Sequence, residues 1–292
     1  MLAQQLFNGL LLGVTFCLAA LGFNLVVGAM DRLNFALGES AMVAAIVSSV
    51  LMARVGLPFW AAFLVALAIG GALSVLTYLL SFRLVRPDFP TASILSSLGI
   101  GIVLTALVLK VFGSNQQVIP DVLPGRRWKV GPIAVTGSQL VILVVSAVMT
   151  IGLYVFLERS RWGVAIRGVS DDAVVVGLLG VPVQRVVLLT FVISGMLAGA
   201  AGLLTGLAYH AVSPVDGFTT TLTALIIIVI GGLGSVKGAV VSALAIGVIE
   251  TLSVVMLSAT LRDLVVYLLV GVFLLVRPQG LFGRNAGVLE RV

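Results

Sequence analysis

The chain has 292 residues, 60% of them hydrophobic and 10% charged, with a formal net charge of +6 and a mean hydropathy of +1.25. A soluble domain holds about 45–50% apolar and about 25% charged residues, so a soluble enzyme, a disordered tail and a fibrous repeat are all excluded. Unbroken apolar runs, most near the length of about 20 residues that a spanning helix needs, predict an all-α, polytopic transmembrane bundle of eight to nine spans forming one domain over 1–292.

The predicted spans cover 6–29, 34–53, 58–81, 92–112, 139–157, 186–209, 219–233, 236–257 and 263–276. Before the first there is no basic leader, and its apolar run reaches Val27 without a good cleavage signal. It is therefore expected to remain as a span rather than be removed as a signal peptide. Cys17, the only cysteine, has no partner thiol and reads as a small buried hydrophobe, not as part of a disulfide or a cysteine zinc site. The second span opens with Asn34-Phe-Ala-Leu-Gly-Glu39, and polar groups there predict a locally unwound start. Residues 113–138 form a long loop with turn-forming Pro and Gly and the basic cluster Arg126, Arg127 and Lys129.

The next long connection, 158–185, is more informative. Asp171 and Asp172 open an apolar stretch to Leu179 that reads as a short amphipathic helix, with acids in its first turn. Gly180 is placed to end it and Pro182 lies just beyond. A connection that only returned the chain to the membrane would need a few residues. This one either lies on the lipid surface or docks a cytoplasmic partner. The seventh span is short enough to be re-entrant and ends at Gly231-Gly232. The segment Gly231-Gly-Leu-Gly-Ser-Val-Lys-Gly238 lacks both the Gly before Lys of a phosphate-binding loop and the spacing of a dinucleotide fingerprint. Gly231, Gly232 and Gly234 serve a tight inter-span turn with close helix packing, or line a pathway.

Chemistry-bearing residues are sparse. Glu39, Lys110 and Glu250 fall within spans, where an ionisable group marks a functional site by default. Lys110 lies near a span end and can snorkel; each glutamate either makes a structural hydrogen bond to a neighbouring helix or couples protons, which would want a relay of several such groups that the sequence does not show. His210, the single histidine, sits at a span end. With no His-Glu-x-x-His pattern, metal-ligand cluster or nucleophile–base pair, no enzyme activity, metal or cofactor is expected. The runs are too long and continuous for a membrane β-barrel.

Alternating the spans places Arg32, Arg83, Arg86, Arg159, Arg161, Arg167, Arg185, Lys237, Arg277, Arg284 and Arg291 on one side. Arg54, Lys110, Arg126, Arg127, Lys129 and Arg262 fall on the other. The positive-inside rule makes the richer side cytoplasmic. Nucleic acid is not an expected partner, since the basic residues sit in short loops and not in a patch interleaved with aromatics.

Five segments carry a resemblance: Asn34-Phe-Ala-Leu-Gly-Glu39; Arg167 through Arg185 with Asp172 and Leu178-Leu-Gly-Val181; Thr190-Phe-Val-Ile-Ser-Gly195; Gly231 through Ala239; and Arg277-Pro-Gln-Gly-Leu-Phe-Gly283. In order and spacing, from about residue 5 to 284, they resemble the LivH-type permease subunits of branched-chain amino-acid importers powered by ATP-binding cassettes. Leu37 stands where that family often has His, and Lys237 where Pro is common. The resemblance implies a multi-pass protein of the bacterial inner membrane that pairs with a second homologous permease, two cytoplasmic ATPases and a periplasmic solute-binding protein. ATP hydrolysis would reside in the partners. It implies that 158–185 is the ATPase-coupling loop, with Arg167, Asp171, Asp172 and Gly180 as coupling residues. By motif position and depth, Asn34, Gly38, Glu39, Gly231, Gly232, Gly234 and Glu250 are the candidate translocation-pathway residues. The solute expected is a branched-chain or related small amino acid. Related permeases carry urea, amides or sugars, and an ATP-independent secondary carrier is the alternative from a different class.

Overall fold

The computed structural model describes residues 2–85, 90–123, 125, 127–130, 133–256, 262–277 and 279–282. Arg86, Arg126, Gly283, Arg284 and Arg291 lie outside the described residues. Among the described residues the chain forms α1 (Leu2–Met30), α2 (Leu37–Val50), α3 (Phe59–Thr77), α4 (Pro90–Phe112), α5 (Gly137–Arg159), α6 (Arg161–Leu178), α7 (Val183–Tyr209), α8 (Asp216–Gly231), α9 (Val236–Met256) and α10 (Arg262–Val276). Wide π-helical turns, Leu51–Val55 and Tyr78–Arg83, extend α2 and α3.

Among the described residues, seven helices are long and apolar enough to cross a membrane: α1 to α5, α7 and α9. The two remaining apolar helices, α8 and α10, are shorter. Together they match the nine apolar segments read from the sequence, which establishes a polytopic helical membrane bundle. The 16 residues of α8 give a length of about 24 Å at 1.5 Å per residue, less than a hydrocarbon core of about 30 Å. It nevertheless runs between the two ends of the bundle: its first turn follows the end of α7, and past its last turn the Gly234 amide meets Asn24 near the end of α1.

Those two ends are distinct. At one, which we call the basic end, Arg32 Nη1 donates to Ser93 Oγ at 2.9 Å, the Gly234 amide donates to Asn24 Oδ1 at 2.8 Å, and Arg167 pairs with Glu158 at 2.8 Å. At the opposite end two small antiparallel ribbons fill what the sequence presented as plain loop. β1 (Gln117–Val118) pairs with β4 (Ala211–Val212), tying the α4–α5 connection to the end of α7. β2 (Arg127–Val130) and β3 (Ile133–Thr136) form a hairpin. That hairpin delivers Thr136 to the start of α5, where it forms a reciprocal capping box with Gln139 and so satisfies two otherwise orphaned amides.

The core is organised on α1 and α7. From Cys17 to Val27 α1 is buried at every position, and it touches α9, α7, α8, α5 and α6. Lipid tails are as apolar as leucine, so no hydrophobic force draws spans together, and association depends on close van der Waals approach through small residues. Gly9 and Gly13 of α1 lie on the backbone around Gly247 of α9, and Gly22 lies on the Ser194 carbonyl of α7. On α7, Gly195 and Gly199 receive Gly70 and Ala66 of α3, while Gly202 receives Ala41 of α2. A side chain at any of these glycines would meet backbone atoms. The outward faces of α4 and α5 expose Ile102, Val103, Val148 and Ile151, as expected of helices that meet lipid.

Gly195→Ala is therefore expected to cost about 1–3 kcal/mol of stability through overpacking. Gly152→Ala is expected to leave stability within about 0.5 kcal/mol, since nothing lies within 4 Å of a Cβ there. Thermal unfolding read by reaction of the buried Cys17 thiol with a thiol dye measures both, and equal effects would refute the packing role.

Candidate functional site

Between α1 and α2 the chain is unwound over residues 31–36. Asp31 adopts φ +52, a left-handed conformation that an aspartate tolerates better than most residues, and its amide closes the last turn of α1 on the Val27 carbonyl at 2.8 Å. The segment then runs along α4. The Phe35 amide donates to Ser97 Oγ at 3.2 Å, and Thr221 Oγ1 of α8 donates to the Phe35 carbonyl at 3.3 Å. Asn34 is buried and accepts the Ala36 amide at 3.1 Å, while its Nδ2 has no hydrogen-bond partner among the described residues. Gly38 presses onto Gly217 and Thr221, and its amide donates to Thr221 Oγ1 at 3.1 Å.

Glu39 follows in the first turn of α2 and is buried. Thr105 Oγ1 of α4 donates to its Oε2 at 2.8 Å. Its carboxylate also occupies the space beside Gly217, in the first turn of α8, and its Cγ occupies the space beside Gly101 of α4. Two glycines on two neighbouring helices thus make room for one carboxylate, which stands at the favourable N-terminal end of α8 as well as of α2. Gly38 and Glu39 thus lie on one face of α8, with Asn34 buried just before them in the same segment.

The other face of α8 lines a cavity of about 360 Å³ at the end away from the basic loops. Asp216, Thr219, Thr220 and Thr223 recur there at helical spacing, the i, i+3, i+4, i+7 pattern of one helix face. Across from them stand Met42 and Ala45 of α2, Thr205 and Tyr209 of α7, Glu250 of α9 and Tyr267 of α10. Glu250 is buried and accepts from the Tyr209 hydroxyl at 3.3 Å. This pair also borders a second cavity of about 340 Å³ that reaches Gln5, Asn8 and Gln139. Of the predicted pathway residues, Glu250 lines the cavity directly, while the Asn34–Glu39 cluster backs the helix that forms its wall.

Gly231, Gly232 and Gly234 lie at the basic end. Gly231 and Gly238 meet backbone to backbone, and Gly232 and Gly234 hold φ +97 and +81. The chain after α10 folds back here, so that Leu281 and Phe282 amides donate to the Ile230 and Gly231 carbonyls at 2.7 and 3.0 Å. The tail thereby satisfies carbonyls that the end of α8 leaves open.

Beside this turn lies α6. It starts earlier than the sequence reading had it, at Arg161, because Ser160 Oγ accepts the Gly163 amide at 2.8 Å as an N-cap. The backbone breaks at Asp172 (φ −159, ψ 102). Asp172 Oδ1 then caps a new short helix, accepting the Val174 and Val175 amides at 2.9 and 3.0 Å. Gly180 (φ +86) ends it: its amide donates to the Gly177 carbonyl, and the Val181 amide reaches Val176, the two bonds of a Schellman terminus. Asp171 is exposed, and Arg167 bridges back to Glu158 at the end of α5.

The cavity-lining threonines were not singled out from the sequence. Their signal was present in Phe218-Thr-Thr-Thr-Leu-Thr223, a polar stripe inside an apolar span. Thr105, Gly101 and Gly217 carried no comparable signal, since their part is to make room for Glu39 across two helix boundaries. Among the described residues no group of three or more His, Cys, Asp or Glu side chains is placed to hold a metal ion.

Residues 5–276 match the family described as branched-chain amino acid transport system / permease component. The chain is 34% identical, over 96% of its length and 95% of the other's, to the high-affinity branched-chain amino acid transport system permease protein LivH of Escherichia coli K12. It is 32% identical, over 96% and 95%, to the corresponding protein BraD of Pseudomonas aeruginosa. A solved structure of PsaBC from Streptococcus pneumoniae in complex with Fab shares the fold, with a TM-score of 0.52 at 14% identity over 95% of this chain and 92% of that one.

A double-mutant cycle of Thr105→Val and Glu39→Ala, read by thermal unfolding, is expected to give a coupling of about 0.6 kcal/mol and at most about 1.7, as for interhelical hydrogen bonds in bilayers. Additive effects would remove this bond from the account of the cluster.

Proposed function

This chain belongs to the family of permease components of branched-chain amino acid transport systems, and we propose that it forms a translocation pathway for branched-chain or related small amino acids in an importer driven by ATP-binding-cassette subunits. In this reading it sits in a bacterial inner membrane with its basic end in the cytoplasm. It works beside a second homologous permease, receives solute from a periplasmic binding protein, and leaves ATP hydrolysis to two cytoplasmic ATPases.

The observation that carries the reading is the second half of α6. It is a short helix with both ends closed by its own residues. Val176 packs against the core, but Val174, Leu178 and Leu179 do not, being 73%, 84% and 77% exposed. A preformed, exposed apolar helix at a basic membrane end suits a motor subunit that must grip the permease. Arg167, Asp171, Asp172 and Gly180 are the proposed coupling residues, the last two because they set the helix ends. The Asn34–Glu39 cluster, the Gly231–Gly234 turn and Glu250 are the proposed pathway elements. The first two border the two ends of α8, and Glu250 lines the cavity along its side.

Vesicles holding the chain with its partner subunits are expected to accumulate radiolabelled leucine only with ATP and the binding protein. Uptake driven by an ion gradient alone would replace this reading with a secondary carrier. Asp172→Ala removes an N-cap worth about 1 kcal/mol, roughly a five-fold loss of the capped helix. It is expected to weaken ATPase co-purification while insertion is unchanged, and Asp172→Ser, which can still cap, is expected to restore it. Normal co-purification of the alanine variant would end the coupling assignment.

A further inference from the structure

A groove of about 700 Å³ lies between α5 and α7, with Trp162 of α6 and Arg185 of α7 toward the basic end. Met149, Gly152, Leu153 and Phe156 form the α5 wall, the i, i+3, i+4, i+7 stripe of one helix face. The α7 wall runs at the same spacing from Arg185 to Leu197. Among the described residues Arg185 is the only charged group in the lining, and it is exposed and holds no ion pair. Arg159 and Arg161 stand at the same α5–α6 junction as Trp162 and are exposed too. Glu158, the acid at that junction, is taken by Arg167. The groove thus has a positive mouth and apolar walls.

Its dimensions fit an acyl chain. From Arg185 to Leu197 α7 rises about 18 Å at 1.5 Å per residue, close to the half of a hydrocarbon core of about 30 Å that one leaflet supplies. The lining does not fit a further helix. Elsewhere in this bundle helices meet through glycine against backbone, whereas here Leu, Ile, Met and Phe side chains line the walls and Gly152 alone is small. We propose that the groove is a site for an anionic phospholipid of the leaflet at the basic end, its acyl chain lying between α5 and α7 and its phosphate held by Arg185. A guanidinium meets phosphate oxygens with paired N–H donors. An indole settles at the headgroup level with its N–H toward water, which is the place of Trp162 beside the arginine. A basic mouth favours a headgroup of net negative charge over a zwitterionic one. This site requires only a helical bundle in a bilayer, whatever solute crosses it.

Trp162 serves as the reporter, because bromine atoms on an acyl chain quench a tryptophan that they touch. With Trp60 and Trp128 replaced by Phe it is the sole tryptophan of the full chain, which is reconstituted in phosphatidylcholine vesicles. The probes are brominated phosphatidylglycerol and brominated phosphatidylcholine. The glycerol lipid is expected to occupy the site about fivefold better than its choline counterpart, the advantage that one arginine near an anionic headgroup confers. Arg185→Gln is expected to remove that preference. Arg277→Gln, which takes an equal charge from the end of α10, is expected to leave it unchanged. Gly152→Leu fills the groove at a point where nothing lies within 4 Å of a Cβ, so it is expected to abolish the preference while the chain still folds. Equal quenching by the two lipids in the parent chain would overturn the proposal, as would a preference undiminished by Arg185→Gln or by Gly152→Leu. So would a Trp162 that neither lipid quenches, since a second copy or another protein would then cover the groove.

Discussion

Everything in this bundle depends on how closely α1 and α7 can be approached. In a bilayer the hydrophobic effect places helices in the membrane but does not press them against each other, so attraction must come from contact at short range. α1 offers Gly9, Gly13 and Gly22, and α7 offers Gly195, Gly199 and Gly202, each against the backbone of another helix. These two helices together hold α2, α3, α8 and α9. Helices α4 and α5 lack such a framework along most of their length and leave much of their surface outside the bundle.

That rigid frame tolerates two breaks that would otherwise be costly, because backbone polar groups left unpaired in hydrocarbon are expensive. The unwound stretch before α2 is tied by Ser97 and Thr221, with Asn34 folding its own side chain onto the Ala36 amide. At the end of α8 the carbonyls are taken up by the chain that follows α10. Both repairs use residues distant in sequence. The breaks are therefore built into the fold, and both fall where α8 begins or ends.

Much of this was legible beforehand. Nine apolar runs became nine apolar helices, since span length follows directly from bilayer thickness. The late start of α2 was visible in Asn34 and Glu39, and the short capped helix in Asp172 and Gly180, because caps are local and chemically specific. What could not be read depends on partners across the sequence. The first half of α6 was missed although Ser160 and Gly163 formed a cap. The β1–β4 ribbon joins residues on either side of three helices, which no local pattern announces. The polar face of α8 was hidden because a few threonines barely lower the hydropathy of a span, yet their spacing alone places them on one wall.

The two faces of α8 bear on how transport would work. One face lines the cavity, while the other holds Glu39 beside Gly217 and Gly38 beside Thr221. At its far end the turn to α9 is held by Asn24 of α1, through the Gly234 amide, and α1 passes beside Ser170 of α6 at Gly28. The first half of α6, ahead of the break at Asp172, is thus linked to the end of α1 at Ser170, and α1 in turn through Asn24 to the α8–α9 turn. Helices joined by glycine contacts and hydrogen bonds move as bodies rather than deform. A shift of α8 would therefore be carried at once to Glu39 beside Gly217 and to the threonines of the cavity wall.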